Sequence, residues 1–145
     1  MVWVELTFAE LWQGAQAGCY RRITSIKAGY NKNKHAEKSD WATDIDGALA
    51  EIALAKYLEI YWSASNRSFK EPDVGFWQVR STRHDNGHLI VRPNDKDDLA
   101  TKCVLAITRD NGVALVGWVT IGDARSDQFW KEDSWWVPQS SLTQF

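Results

Sequence analysis

Two carboxylates, an amide and a guanidinium stand in order along this chain: Glu51 in "GALAEIALAKYL", then Asp73, Gln78 and Arg80 in "EPDVGFWQVRST". Side chains alternate faces along a strand, so Gln78 and Arg80 share one face while Trp77 and Val79 take the other. Gly75 lets the chain turn after Asp73 and bring its carboxylate beside Gln78. Glu51, from a helix packed below, completes the group. Two acids, an amide oxygen and the backbone carbonyl of Val79 form an all-oxygen donor set of the kind Mg²⁺ accepts. Such an ion polarises a phosphodiester and lowers the pKa of a bound water, and Arg80 would stabilise charge on the phosphate. Each residue also has a plainer reading. Arg80 and Asp73 can form a surface ion pair worth at most about 1 kcal/mol. Glu51 can reach solvent at the helix edge, and Gln78 can hydrogen-bond a neighbouring strand.

Further groups extend the constellation. Ser81, Thr82 and Arg83 continue the same strand and offer hydroxyls and charge to a phosphate, or are ordinary strand residues. His84 and His88 flank an Asn86-Gly87 turn; without nearby cysteines they read as loop histidines beside a groove rather than as a transition-metal pair. Between Tyr20 and Lys38 stand Arg21, Arg22, Lys27, Lys32, Lys34 and Lys38, with Glu37 the one acid. A charge run of this kind is a solvated loop or a guide for a nucleic-acid backbone, a role that falls to Arg21, Arg22, Lys32 and Lys34. No Gly-rich phosphate loop, serine triad or Cys-His nucleophile pair stands out.

The elements that must position these residues follow from periodicity. Thr7 and Glu10 have the spacing of a capping box, and Leu11, Ala15 and Cys19 follow at helical intervals, which predicts a helix from about Phe8 to Ala17 or beyond. "DIDGALAEIALAKYLEIYW" predicts a second helix, capped by Asp44 or Asp46, with Leu49, Ile52, Ala53, Tyr57 and Ile60 on one stripe. Glu51 then sits in an alanine-rich, mostly apolar segment, where a carboxylate is costly unless it meets solvent, a cation or a partner. "GFWQVRSTRH" and "HLIVRP" read as a hairpin turned at Asn86-Gly87, and "TKCVLAITRDNGVALVGWVT" as a second turned at Asp110-Asn111-Gly112. "IGDARSDQFW" predicts a short helix and "SWWVPQSSL" a last extended piece. The order implies an α+β fold, helices packed on a mixed, mostly antiparallel sheet.

The 145 residues suit one domain, 1–145, carrying a basic loop over 27–40. A hydrophobic fraction of 44% and a charged fraction of 25% exclude wholesale disorder. A net charge of -2 argues against a protein that coats nucleic acid by charge alone. Cys19 and Cys103 fit neither a disulfide framework nor a zinc spacing and read as buried thiols of a reducing compartment. No run approaches the length of a transmembrane helix and the N-terminus lacks a leader pattern, so a soluble, cytoplasmic protein without a membrane partner is expected. The nine tryptophans read mostly as core rings, with one or two free to stack on bases.

Glu51 on an alanine-rich helix, Pro72-Asp73, and Gln78-x-Arg80 on a following strand resemble the motif order of the PD-(D/E)XK nuclease superfamily. The wider pattern "GALAEIALAKYL", "PDVGFWQVRST", "GHLIVRP", "GW" and "WWVPQSSL", over roughly residues 44–142, is similar to small bacteriophage proteins placed in that superfamily. The resemblance implies a PD-(D/E)XK nuclease-like core and a deoxyribonuclease, endonuclease rather than exonuclease, that uses Mg²⁺ or Mn²⁺. Glu51, Asp73, Gln78 and Val79 would hold the metal, and Glu51, Asp73, Gln78 and Arg80 would form the catalytic set. DNA is the implied partner, with a homodimer in keeping with the superfamily and the host cytoplasm as location if the protein is viral. Gln78 stands where the superfamily has an acid and Arg80 where it has a lysine. Arginine stays protonated and cannot serve as a base, so weakened activity is expected. The alternative is a nuclease fold without cleavage that binds nucleic acid or a host protein.

Overall fold

A computed structural model describes residues 1–29, 40–64, 72–95 and 98–145. The elements run β1 Val2–Glu5, α1 Phe8–Lys27, α2 Asp40–Leu58, β2 Trp77–Thr82, β3 Leu89–Val91, β4 Lys102–Arg109, β5 Gly112–Thr120, α3 Ile121–Ala124, β6 Trp130–Lys131 and β7 Ser134–Val137. The architecture is α+β with mixed, mostly antiparallel pairing, distributed over two sheets rather than one. The larger has the order β1-β5-β4-β2 and the smaller β3-β7-β6.

Strand β4 is central, and its near-continuous apolar sequence reflects cover on both faces. Val104 and Ala106 turn toward α2, where they meet Leu49, Ile52, Ala53, Val79, Val113 and Leu115. Cys103, Leu105 and Ile107 turn the other way and pack with Leu89, Val91, Val119 and Val137 of the second layer. The core is aliphatic. None of the nine tryptophans is fully buried, and Trp3, Trp12, Trp41 and Trp130 are exposed, contrary to a ring-filled interior.

Helix α1 begins with the expected capping box. Thr7 Oγ1 accepts from the Glu10 N–H at 3.2 Å, and Glu10 Oε2 accepts from the Thr7 N–H at 2.7 Å. Its buried stripe is not Leu11, Ala15 and Cys19, which are half-buried, but Gly14, Gly18, Arg22 and Ser25. Small residues at this spacing let α1 lie directly on α2: a Cβ at Gly18 would run into the backbone of Ile45. Helix α2 starts at Asp40, so Asp44 and Asp46 are not its caps. Both are buried one and two turns inside, because arginines from neighbouring elements reach them.

The Asp110–Gly112 hairpin forms as expected between β4 and β5, in antiparallel register from Arg109↔Gly112. The Asn86-Gly87 hairpin does not. Strand β2 pairs in parallel with β4, with Gln78 opposite Cys103, while β3 pairs with β7 in the other sheet. Asn86-Gly87 still turns, with the Gly87 N–H donating to His84 O at 3.1 Å, but Gln139 Nε2 ties Asp85 O and Gly87 O to the second layer. Leu89 and Val91 thereby cover the sheet's outer face. Among the described residues the outer edge of β2 has no strand partner, and the candidate site lies there. Among the described residues no helix is long and apolar enough to cross a membrane.

Candidate functional site

Pairing with β4 leaves the opposite edge of β2 to side chains. Val74 and Trp77 bridge a two-residue turn, N–H to O at 3.1 Å and 2.8 Å in the two directions. Gly75 occupies its first central position at φ +56, the requirement of a type II′ turn that other residues meet only with strain. The turn folds Asp73 back along the strand, where Oδ2 accepts from the Val79 N–H at 2.8 Å. A carboxylate thus satisfies an edge donor that no strand among the described residues takes, and the Val79 carbonyl opens on the same edge.

Glu51 comes to this edge from α2. It is buried, and Arg21 of α1 donates to both of its oxygens, Nη1 to Oε1 at 2.7 Å and Nη2 to Oε2 at 2.8 Å. Trp62 Nε1 donates to Oε2 at 3.0 Å. Trp62 reaches back because α2 ends in a tight reversal. Ile60 N–H donates to Ala55 O at 3.0 Å, Glu59 N–H to Lys56 O at 3.2 Å, and Glu59 takes φ 54. This is the Schellman pattern, built without glycine. The carboxylate that required a partner in an apolar helix has found a cation and an indole.

The two acids act on each other. Burial pushes the Asp73 carboxyl up to about 6, and the charge of Glu51 pushes in the same direction; the Val79 N–H, Arg80 and Arg21 pull against them without prevailing. Burial opposes the charge of Arg21, but the hydrogen bonds and charge of Glu51, with Asp73 and Asp44, hold it above the usual arginine range. Arg80 is likewise held above it, burial being outweighed by Cys103, Asp95 and Asp73. The edge is therefore an acidic pair flanked by two guanidinium groups, with the Asp73 carboxyl raised chiefly by its burial.

The other expected site residues divide. Gln78 is buried on the face it shares with Arg80 and Cys103, turned away from α2, so its side chain does not join Glu51. Arg80 pairs with Asp95 at 3.2 Å and bends Nη1 to the Val79 carbonyl at 3.4 Å, at the edge. Arg22 is buried beside Asp40 at 3.2 Å and Asp44 at 3.7 Å, and is a structural counter-ion rather than a backbone guide. Arg83 grips Asp46 with Nε and Nη2, each at 2.9 Å, and reaches Asp110 at 3.1 Å. Those carboxylates hold its charge well above the ordinary range, and it belongs to the fold more than to a ligand. Ser81 and Thr82 are half-buried, with Thr82 Oγ1 accepting from the His84 N–H at 3.1 Å; His84 and His88 are exposed. Lys32 and Lys34 lie outside the described residues.

Trp62 and Asp95 were not anticipated. Trp62 carried a faint signal, an indole shortly after the helix that bears Glu51. Asp95 carried none, since its partner is set by tertiary contact.

Among the described residues no three of His, Cys, Asp and Glu gather as a metal site. Comparison of the chain with protein-family models, with curated proteins and with solved structures found no match in any of the three.

Proposed function

We propose that this chain is a metal-dependent deoxyribonuclease of the PD-(D/E)XK kind, acting on DNA phosphodiester bonds with Mg²⁺ or Mn²⁺. The observation that carries the reading is the convergence of Asp73, Glu51 and the Val79 carbonyl on the open edge of β2, between Arg21 and Arg80. Burial first and the charge of Glu51 second raise the Asp73 carboxyl to about 6, so its ionised form would gain from a nearby cation. The donor set is all oxygen, which suits a hard divalent cation. Asp73, Glu51 and the Val79 carbonyl would hold it; Gln78 faces away. When bound, such an ion supplies Lewis acidity and a more acidic water.

The chain's own residues do the rest. Asp73 is oriented along the edge by the Val79 N–H, which donates to Oδ2. Arg80, charged at any working pH, offers a guanidinium to a phosphate oxygen but cannot accept a proton. Arg21 holds Glu51 in place by both oxygens, and its own charge adds to the pull on a phosphate.

The same grip favours a second reading. With both oxygens of Glu51 held by Arg21 and Trp62, the fold would serve as a nucleic-acid-binding protein without cleavage. Cleavage of supercoiled, linear, single-stranded and branched DNA with Mg²⁺ or Mn²⁺ separates the two. Cutting by wild type that disappears in Asp73→Ala upholds the nuclease. DNA binding with no cutting of any form upholds the second reading.

A further inference from the structure

Beside Asp73, on the outer side of its turn, runs an open groove of about 430 Å³ lined by Pro72, Phe76, Trp77, Asp98, Thr101 and Lys102. Both walls are fixed by backbone hydrogen bonds. The Val74–Trp77 turn forms one wall. In the other, Thr101 N–H donates to Asp98 O at 2.9 Å, while Ile121 N–H and Gly122 N–H donate to Thr101 O at 2.9 Å and Leu99 O at 2.8 Å. Asp98 Oδ1 accepts from the Ala100 N–H at 2.9 Å.

Phe76 stands at the tip of the turn, 87% exposed. Its ring is presented to solvent on a hydrogen-bonded turn. Lys102 is set between two indoles, its Nζ 4.8 Å from the centre of the Trp77 ring and 4.3 Å from that of Trp118. Those rings meet edge to face at 5.7 Å. Among the described residues Lys102 makes no ion pair, so its positive charge is positioned and not neutralised. An uncovered ring beside an aimed cation matches a nucleotide, whose base stacks while its phosphate pairs with the ammonium. A base inside a duplex is covered by its neighbours and has no free face for Phe76.

We propose that this groove receives an unpaired nucleobase, stacked on Phe76 with its phosphate on Lys102, so that single-stranded DNA or a single-stranded segment is the form presented to Asp73. Base binding stands on the groove alone; its meaning as substrate class rests on the nuclease reading. The test is fluorescence anisotropy of a labelled oligothymidylate and a blunt duplex in EDTA, for wild type, Phe76→Ala and Lys102→Gln. A 5-iodouracil oligonucleotide is cross-linked by light in parallel. Each substitution is expected to weaken oligothymidylate binding about tenfold and leave duplex binding unchanged, with the cross-link on Phe76 or Trp77. The thermal melt of Phe76→Ala is expected to match wild type, since Phe76 is exposed; Lys102→Gln also gives up its contacts with the Trp77 and Trp118 rings, so its binding is read well below its own melting midpoint. Wild type that ignores oligothymidylate, variants that bind like wild type, or a cross-link mapped elsewhere overturns the groove. Cleavage is scored separately: a protein that binds as expected but never cuts upholds the groove and removes the nuclease, and a nuclease whose single-strand binding is untouched by both variants does the reverse.

Discussion

Arg21 holds Glu51 by both oxygens, at 2.7 and 2.8 Å, across the contact between α1 and α2. The two side chains are 15% and 8% exposed, so neither charge can fall back on solvent. Removing one partner leaves the other buried and unpaired, a loss of about 3 kcal/mol or more. Arg21→Met is expected to lower stability by about that amount and Glu51→Gln by less, since an amide still accepts from Trp62. The double variant should recover most of the loss. Urea denaturation of the four proteins reads this coupling directly, and additive losses would mean that the pair is not a unit.

Gly18 sets the distance over which that pair closes. A Cβ there meets the backbone of Ile45, which cannot move as a side-chain tip can. Gly18→Ala should therefore push α1 off α2 and cost about 3 kcal/mol, near the upper end for overpacking. Arg21 lies one turn along from Gly18 and would lose its bidentate geometry. The expected signature is a lower urea midpoint together with a diminished coupling between Arg21→Met and Glu51→Gln.

How much of this was legible follows from what each residue needs locally. Glu51 in an alanine-rich helix announced that it needed solvent, a cation or a partner, and Gly75 after Pro72-Asp73 announced the turn that carries Asp73 back to β2. The capping box of Thr7 and Glu10 and the Asp110–Gly112 hairpin were equally local. What stayed hidden was pairing at a distance. Asn86-Gly87 is a good turn, but whether β3 then joins β2 or β7 is decided by which face Leu89 and Val91 must cover. The basic stretch near Tyr20 did not reveal that Arg21 would go to Glu51 and Arg22 to Asp40 and Asp44, because those carboxylates belong to α2. Gln78 and Arg80 were rightly given one face; that this face turns away from α2 depends on the parallel register with β4.

Arg83 offers a check on the division between structure and ligand contact. It binds Asp46 bidentately, and the Asp46 side chain is only 2% exposed, whereas Arg83 itself is 45% exposed. Partial solvation lessens the gain, so Arg83→Gln should cost about 2 kcal/mol, less than a fully buried pair. If its role is to fasten α2 to the end of β2, the thermal midpoint falls while oligonucleotide affinity, measured on the folded variant, stays within about twofold of wild type. A large affinity loss at unchanged stability would assign Arg83 to the ligand instead.

The Asp73 carboxyl gives the site a pH dependence of unusual sign. Its ordinary pKa of 3.8 is raised to about 6 in the folded protein by burial first and the charge of Glu51 second. Below pH 4 both folded and unfolded chains carry the proton, and Asp73 contributes no difference. Between about pH 4 and 6 the unfolded chain releases it while the folded chain keeps it, so stability from this group falls as pH rises. Above pH 6 the penalty is complete and constant, about 2 kcal/mol after allowing for partial exposure. Asp73→Asn keeps an oxygen for the Val79 N–H and removes the charge. It should therefore be more stable than wild type at pH 7.5, equal to it near pH 4, and lack the intervening slope. Millimolar Mn²⁺ should then stabilise wild type at pH 7.5 and leave Asp73→Asn unmoved, because only the ionised carboxylate gains from the cation. Urea titrations at pH 4, 5, 6 and 7.5, with and without the metal, decide both points. A wild-type stability that rises from pH 4 to 6 in step with the variant would mean that Asp73 ionises normally and that the edge of β2 has no unmet demand for positive charge.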